Sequence, residues 1–211
     1  MGTTTQTDAP SSAPSTGRIA PQVPATSEDL MMYASQLAAI KHDAESLVSG
    51  LSNDQLNWQP SPTSWSIAQC LDHLVLSADG FLHEQRRAIE HGRIRSMVSD
   101  GPYRHGWLGT KLLGGIEPPV TRKFRAPKGA VPASNYDRDE LLAEFLKRQE
   151  RFGDAIRAAR GLDLGRISVR IPGIPLVKTS LGQSFTFALA HERRHLWQAR
   201  RVREDPRFPA N

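Results

Sequence analysis

Cysteine is all but missing from this chain: Cys70 is the single one in 211 residues. No disulfide can form within the chain, which fits a reducing compartment. Nor does any run approach the roughly 20 apolar residues needed to span a bilayer. Large apolar side chains are almost absent from residues 1–26, MGTTTQTDAPSSAPSTGRIAPQVPAT. A segment so rich in Ser, Thr and Pro buries too little surface to offset its chain entropy and is expected to be disordered. It lacks the charged start and apolar run of a secretory signal, and Gln6 stands where a myristoylation signal needs Ser or Thr. The expectation is a cytoplasmic protein with a tail at 1–26, one domain at 27–205 and a flexible 206–211. A net charge of +5 leaves nucleic acid, acidic lipid and anionic small molecules open as partners.

What the chain has is helical periodicity. Leu30, Tyr33, Leu37, Ile40 and Leu47 share one face of a segment over about 27–49, which stops at Gly50. A second segment opens with a Ser-x-x-Gln capping pattern, Ser66 and Gln69, and runs to Gly92. A third, about 137–160, begins with Asp137 and Asp139 and repeats Leu141, Leu142, Phe145, Phe152 and Ile156. The fourth repeats the capping pattern at Ser180 and Gln183 and ends near Glu204, before Pro206. These predict an all-α fold, an up-down four-helix bundle with a long loop between the second and third helices. That loop, 92–135, is expected to act as a lid. Ile167, Val169 and Ile171 alternate like a brief strand, but one strand makes no sheet.

The fourth segment carries "AHERRHLWQARR", residues 189–200, in which His191-Glu192-Arg193-Arg194-His195 spells the HExxH helix of zinc proteases. At 100° per residue His191 and His195 lie about 40° apart, on the inward stripe with Ser184, Ala188 and Gln198. Glu192 falls about 100° from His191, beside the pair. A zinc protease takes its third ligand after the motif. Arg201 stands at the usual His position here, and no further His follows, so a third ligand must come from another helix. On the second segment Ser66, Cys70, His73, Ser77, Gly80 and Glu84 recur at spacings of four and three, a small polar stripe resembling one wall of a pocket. His73 is its centre. Two helices can thus bring His73, His191 and His195 together around a metal with an open position. The plain alternative for each is a hydrogen-bonded core histidine. His42, His83, His91 and His105 sit among polar or loop residues and are expected to face solvent.

The stretch "LNWQPSPTSWSIAQCLDHL", followed far downstream by "AHERRHLWQARRV", resembles the DinB-like superfamily, in its DinB_2 or YfiT-like branch of metal-dependent enzymes. The resemblance covers roughly 28–203. It rests on Trp65-Ser66-Ile67 with His73 seven residues past Ser66, and on the spacing of His191, His195 and Gln198. It implies a four-helix bundle with a divalent ion, zinc or nickel, held by His73, His191 and His195, and often a homodimer. Members with assigned chemistry look like thiol-dependent transferases or isomerases, and none requires Glu192.

Three readings follow. The first is a metal-dependent thiol S-transferase acting on a small molecule with a low-molecular-weight thiol, Arg104, Lys111, Arg122 and Lys123 of the lid offering charges at the pocket mouth. Close to it stands a hydrolase that activates water, with Glu192 as candidate base. The second is a nucleic-acid binder using Arg193, Arg194, Arg200, Arg201 and Arg203 around Trp197, although cations near a helix C-terminus are favoured by the dipole anyway. The third is a non-catalytic scaffold whose structural metal is closed off by Cys70, for which a small buried hydrophobe is the simpler role. Trp58 and Trp65 are expected to cover one end of the bundle, Trp65 with access to the pocket.

Overall fold

The computed structural model describes Met1, Gly2 and residues 28–99, 103, 113–120, 132–172 and 177–210. Nearly all of the tail expected to be disordered lies outside the described residues, as does most of the lid, including Arg104, His105, Lys111, Arg122 and Lys123.

Four long helices form where the periodicity places them: α1 (Glu28–Val48), α3 (Ile67–Ile94), α4 (Arg138–Ala158) and α5 (Leu181–Arg203). A short α2 (Asn53–Asn57) joins the first two. Local chemistry sets the starts. Ser66 accepts from the Gln69 amide while the Gln69 side chain accepts from the Ser66 amide, a complete capping box, and Ser52 and Gln55 repeat it at α2. Asp137 accepts from the amides of Asp139 and Glu140, and its carboxyl is held below the usual range mainly by the bond from Glu140. Ser180 makes only half a box, since the Gln183 side chain receives the Tyr103 hydroxyl instead.

Apolar stripes spaced at three and four pack these helices into one core, with Tyr33, Phe145, Phe185, Ile67 and Leu74 fully buried. α3 packs on α4 and α5, and α1 packs on the same two, so α4 and α5 face each other across the diagonal. The all-α bundle is as expected, and its contacts resolve the helix directions. Tyr33 meets Gly182 where α1 and α5 start, and Arg203 meets Leu47 where they end, so the two run parallel. Asp79 faces Arg148 and Arg151 while Arg93 reaches Ala158, which makes α3 and α4 parallel as well. His73 with His191, and Gln85 with Ser184, set α3 antiparallel to α5. The order is up, down, down, up rather than strict alternation, because the long connection between α3 and α4 carries the chain back along the bundle.

The brief strand does find a partner. β1 (Ser168–Arg170) pairs antiparallel with β2 (Lys178–Ser180), Val169 opposite Thr179, and β2 leads directly into the Ser180 cap of α5. Past β1, Pro172 lies against Gly80 of α3, close enough that a β-carbon there would sit 3.1 Å from it. Over 206–210, within the end expected to be flexible, the chain makes contacts with the bundle. Phe208 packs edge-on against Trp58 with ring centroids 5.6 Å apart, and the Pro209 carbonyl accepts from Gln55 Nε2 at 3.0 Å. Burying an aromatic ring outweighs the freedom of a short end. Trp58 therefore does cover one end of the bundle. Among the described residues no helix is long and apolar enough to cross a membrane.

Candidate metal centre

His73 sits two turns into α3, and His191 and His195 lie one turn apart on α5, where the two helices pack antiparallel. The i,i+4 spacing puts both α5 imidazoles over the same face, and the crossing sets His73 opposite them. One ring nitrogen of each lies within 4.8 Å of the others. His73 Nε2 and His191 Nε2 are 3.2 Å apart, and the His73 ring centre is 4.5 Å from that of His195. His73 and His195 are buried and His191 is half-buried. The open side of the cluster is therefore the His191 side.

Aromatic rings hem the triad. Trp65 stacks on His195 at 5.7 Å and leans on His73 at 5.0 Å, while Phe81 approaches His191 at 6.0 Å and Phe187 at 5.8 Å. Burial in this dry setting holds His191 down to about 3 and His195 to about 2, from an ordinary value of 6.5. Repulsion from the neighbouring imidazoles and from Arg194 adds to it in both. Both rings are neutral at physiological pH, with lone pairs available. His195 Nδ1 is buried and has no hydrogen-bond partner among the described residues.

These features fit a divalent ion. Imidazole nitrogens bound to one zinc at about 2.0–2.1 Å lie ~3.3 Å apart, which the His73–His191 spacing matches before any ion is considered. An all-imidazole donor set suits zinc or nickel better than calcium or magnesium, which take oxygen ligands. His73, His191 and His195 would hold the ion, and three ligands leave a position for substrate.

Other candidates are placed elsewhere. Cys70 is fully buried in the core, its thiol pushed up by burial, and is outside the ligand cluster. Glu192 points across the diagonal: its Oε1 accepts from Gln149 Nε2 of α4 at 2.9 Å, and burial raises its carboxyl to about 8. It is absent from the group of converging ligand atoms, so the HExxH spelling does not produce the protease geometry. His42, His83 and His91 face solvent.

The arginines of α5 are largely engaged within the chain. Arg193 forms a two-pronged ion pair with Glu117 and donates to Gln36 Oε1 at 2.8 Å, Arg203 donates to the Ser46 and Leu47 carbonyls, and Arg200 lies 3.5 Å from Asp43. Arg194 is buried beside the triad and donates to the Gly115 carbonyl at 3.3 Å. A binder of phosphate backbones needs such groups exposed. The nucleic-acid reading enlists Arg194, although it lies only about 60° from His191 on the helical wheel. Gln149 is a site-side residue with a sequence signal of its own, a polar residue on the α4 apolar stripe between Phe145 and Phe152.

No solved structure matches the chain significantly. An uncharacterized protein of Bacillus subtilis (strain 168), YuaE, is 27% identical over 159 residues, which span 74% of this chain and 87% of that protein. The family profile described as DinB superfamily matches residues 36–199, a stretch that begins in α1, contains all three histidines and ends in α5. With the bundle and the His73–His191–His195 cluster both inside the matched span, the chain belongs to the DinB superfamily.

Proposed function

We propose that the protein is a metal-dependent thiol S-transferase whose divalent ion, zinc or nickel, is held by His73, His191 and His195. The observation that carries this reading is the convergence of three imidazoles, with neutral His191 and His195, no carboxylate or thiol in the cluster, and one half-buried side. A bound divalent ion lowers the pKa of a thiol placed on it and so supplies a thiolate at neutral pH. The chain's own residues do the rest. Trp65 and Phe81 exclude water and fix the imidazole planes, and Arg194 places a cation beside the site that favours an anionic partner. The reaction supported is substitution. The thiol sulfur forms a bond to an electrophilic carbon, the leaving group departs with the electrons of the bond it loses, and the thiol proton passes to it or to solvent.

The hydrolase alternative has less support. It calls for a base beside the attacking water, and Glu192, the candidate, is committed to Gln149. The test is metal content by elemental mass spectrometry on untagged protein beside His73→Ala, followed by thiol consumption with model electrophiles. About one equivalent of zinc or nickel, lost in the variant, with thiol-dependent turnover, is the expected result. Metal retained without His73 overturns the ligand set, and turnover that needs no thiol overturns the transferase.

A further inference from the structure

Ser77 stands one turn after His73 on α3, so its side chain lies over the same face. Its Oγ is 3.4 Å from His73 Nε2, the nitrogen that is itself 3.2 Å from His191 Nε2. Among the described residues that is the one hydrogen-bond contact of the hydroxyl. Trp65 walls the His73–His195 side and Phe81 the far side of His191. Ser77 is half-buried, as His191 is.

A hydroxyl carries one donor hydrogen. At 3.4 Å from His73 Nε2 it makes a long, weak contact, and it can donate there only while that nitrogen's lone pair is available. Once that lone pair is used to ligate an ion, the hydroxyl must find another acceptor. On the S-transferase reading, the group that would arrive at the open side is the anionic sulfur of the cosubstrate. We propose that Ser77 is a cosubstrate-orienting residue, its hydroxyl donating a hydrogen bond to the thiolate sulfur seated beside His73 and His191. The proposal rests on the S-transferase reading above. It adds a specificity device: a donor aimed at the sulfur favours an anionic nucleophile and fixes the direction from which it faces the electrophile.

The test uses the full chain loaded with cobalt(II), with 2-mercaptoethanol as probe, in wild type, Ser77→Ala and Ser77→Thr. Cobalt stoichiometry and the near-ultraviolet absorbance gained on adding thiol are read separately. The expected result is one equivalent of cobalt in all three, a thiol dissociation constant raised about ten-fold in Ser77→Ala, and a value near wild type in Ser77→Thr, which keeps the hydroxyl. Unchanged thiol affinity in Ser77→Ala overturns the role of Ser77 and leaves the transferase reading standing. Loss of cobalt in Ser77→Ala also overturns it, because the hydroxyl then serves the ligand set and not the cosubstrate. Wild type that binds cobalt but gives no thiol signal sinks the transferase reading, and the inference with it.

Discussion

Two of the buried polar regions along helix α5 are built on opposite principles. At its start, Tyr103 Oη meets Ser180 Oγ at 2.8 Å and Gln183 Oε1 at 3.4 Å, Ser180 caps the Gln183 amide, Tyr33 donates to the Gly182 carbonyl, and the single hydrogen of Thr186 Oγ1 is shared between the same carbonyl at 3.0 Å and Tyr33 Oη at 3.3 Å. Every one of these groups has a partner inside the chain. Near its middle, His191 and His195 lie beside His73 among aromatic rings, with His195 Nδ1 unpartnered among the described residues. Folding alone accounts for the first region, since a satisfied buried network rigidifies the structure. The second costs stability as it stands, and buried polar groups left over in that way mark a place where something else is to bind.

The largest expected effect separates the regions by metal. Substituting His73, His191 or His195 by Ala should take metal content from about one equivalent to near none, because a site reduced to two imidazoles loses much of its affinity. Tyr103→Phe should leave metal content unchanged. Elemental analysis of the four variants reads both directly. Metal loss in Tyr103→Phe would mean the start of α5 is part of the site and would erase the distinction.

Acid and base should act on the metal-free protein with opposite signs. For His191 and His195, folded values of about 3 and about 2 lie below the ordinary 6.5, so the unfolded chain binds more protons between them. Stability from these groups is lost as pH falls below 6.5 and is fully present above it. Glu192 runs the other way. Its folded value of about 8 lies above the ordinary 4.5, so its contribution is fully present below 4.5 and lost as pH rises through 8. Urea midpoints should therefore peak near neutral pH, with an alkaline limb of up to ~1.4 kcal/mol per pH unit between 6.5 and 8. Glu192→Gln should flatten that limb and steepen the acid limb between 4.5 and 6.5, where Glu192 opposes the two histidines. An alkaline limb that persists in Glu192→Gln belongs to another group.

A third experiment presses on the satisfied region. A β-carbon on Gly182 would meet the Tyr103 ring at 2.7 Å, well inside contact distance. Gly182→Ala should cost about 1–3 kcal/mol through the shift it forces on Tyr103, read as a lower urea midpoint. Metal content should be untouched, since the triad lies three turns further along α5.

The uneven legibility of the two regions has physical causes. The triad could be read because i,i+4 imidazoles and a small polar stripe are periodic features of one helix each, and the family resemblance joined them across the chain. Helix starts were legible for the same reason, as at Ser66 and Gln69, where the signal is local. Helix directions were not, because they depend on where the long connection goes. Tyr103 docking over Gly182 was invisible too: no pattern near either residue names the other. Glu192 carries a motif signal and a partner that differ. The spelling pointed to a metal, while its partner is Gln149, 43 positions away on another helix. Arg194 shows the reverse failure, a residue whose position on the wheel already pointed inward but whose charge suggested solvent.

The smallest effect is also the one that decides whether the comparison holds as thermodynamics, because its sign differs between the regions. Replacing His195 by Leu removes a buried ring nitrogen, Nδ1, that has no partner among the described residues, together with the ring's contact to Gln198, and substitutes an apolar side chain of similar size. Removing an unsatisfied polar group relieves its desolvation cost, so the metal-free variant should be more stable by about 1 kcal/mol. Tyr103→Phe removes a hydroxyl that bonds to Ser180 Oγ and Gln183 Oε1, so it should be less stable by a similar ~1 kcal/mol. For a chain of this size each is a shift of roughly 2–4 °C in Tm, upward in the first and downward in the second, measured in the presence of a chelator. Without the chelator the first sign should reverse, since wild type then gains the binding energy of the ion and His195→Leu does not. If His195→Leu is destabilising even with metal removed, the imidazole has a structural partner. The triad would then be a satisfied core like the region around Tyr103, and the argument from unsatisfied polarity to metal would fail.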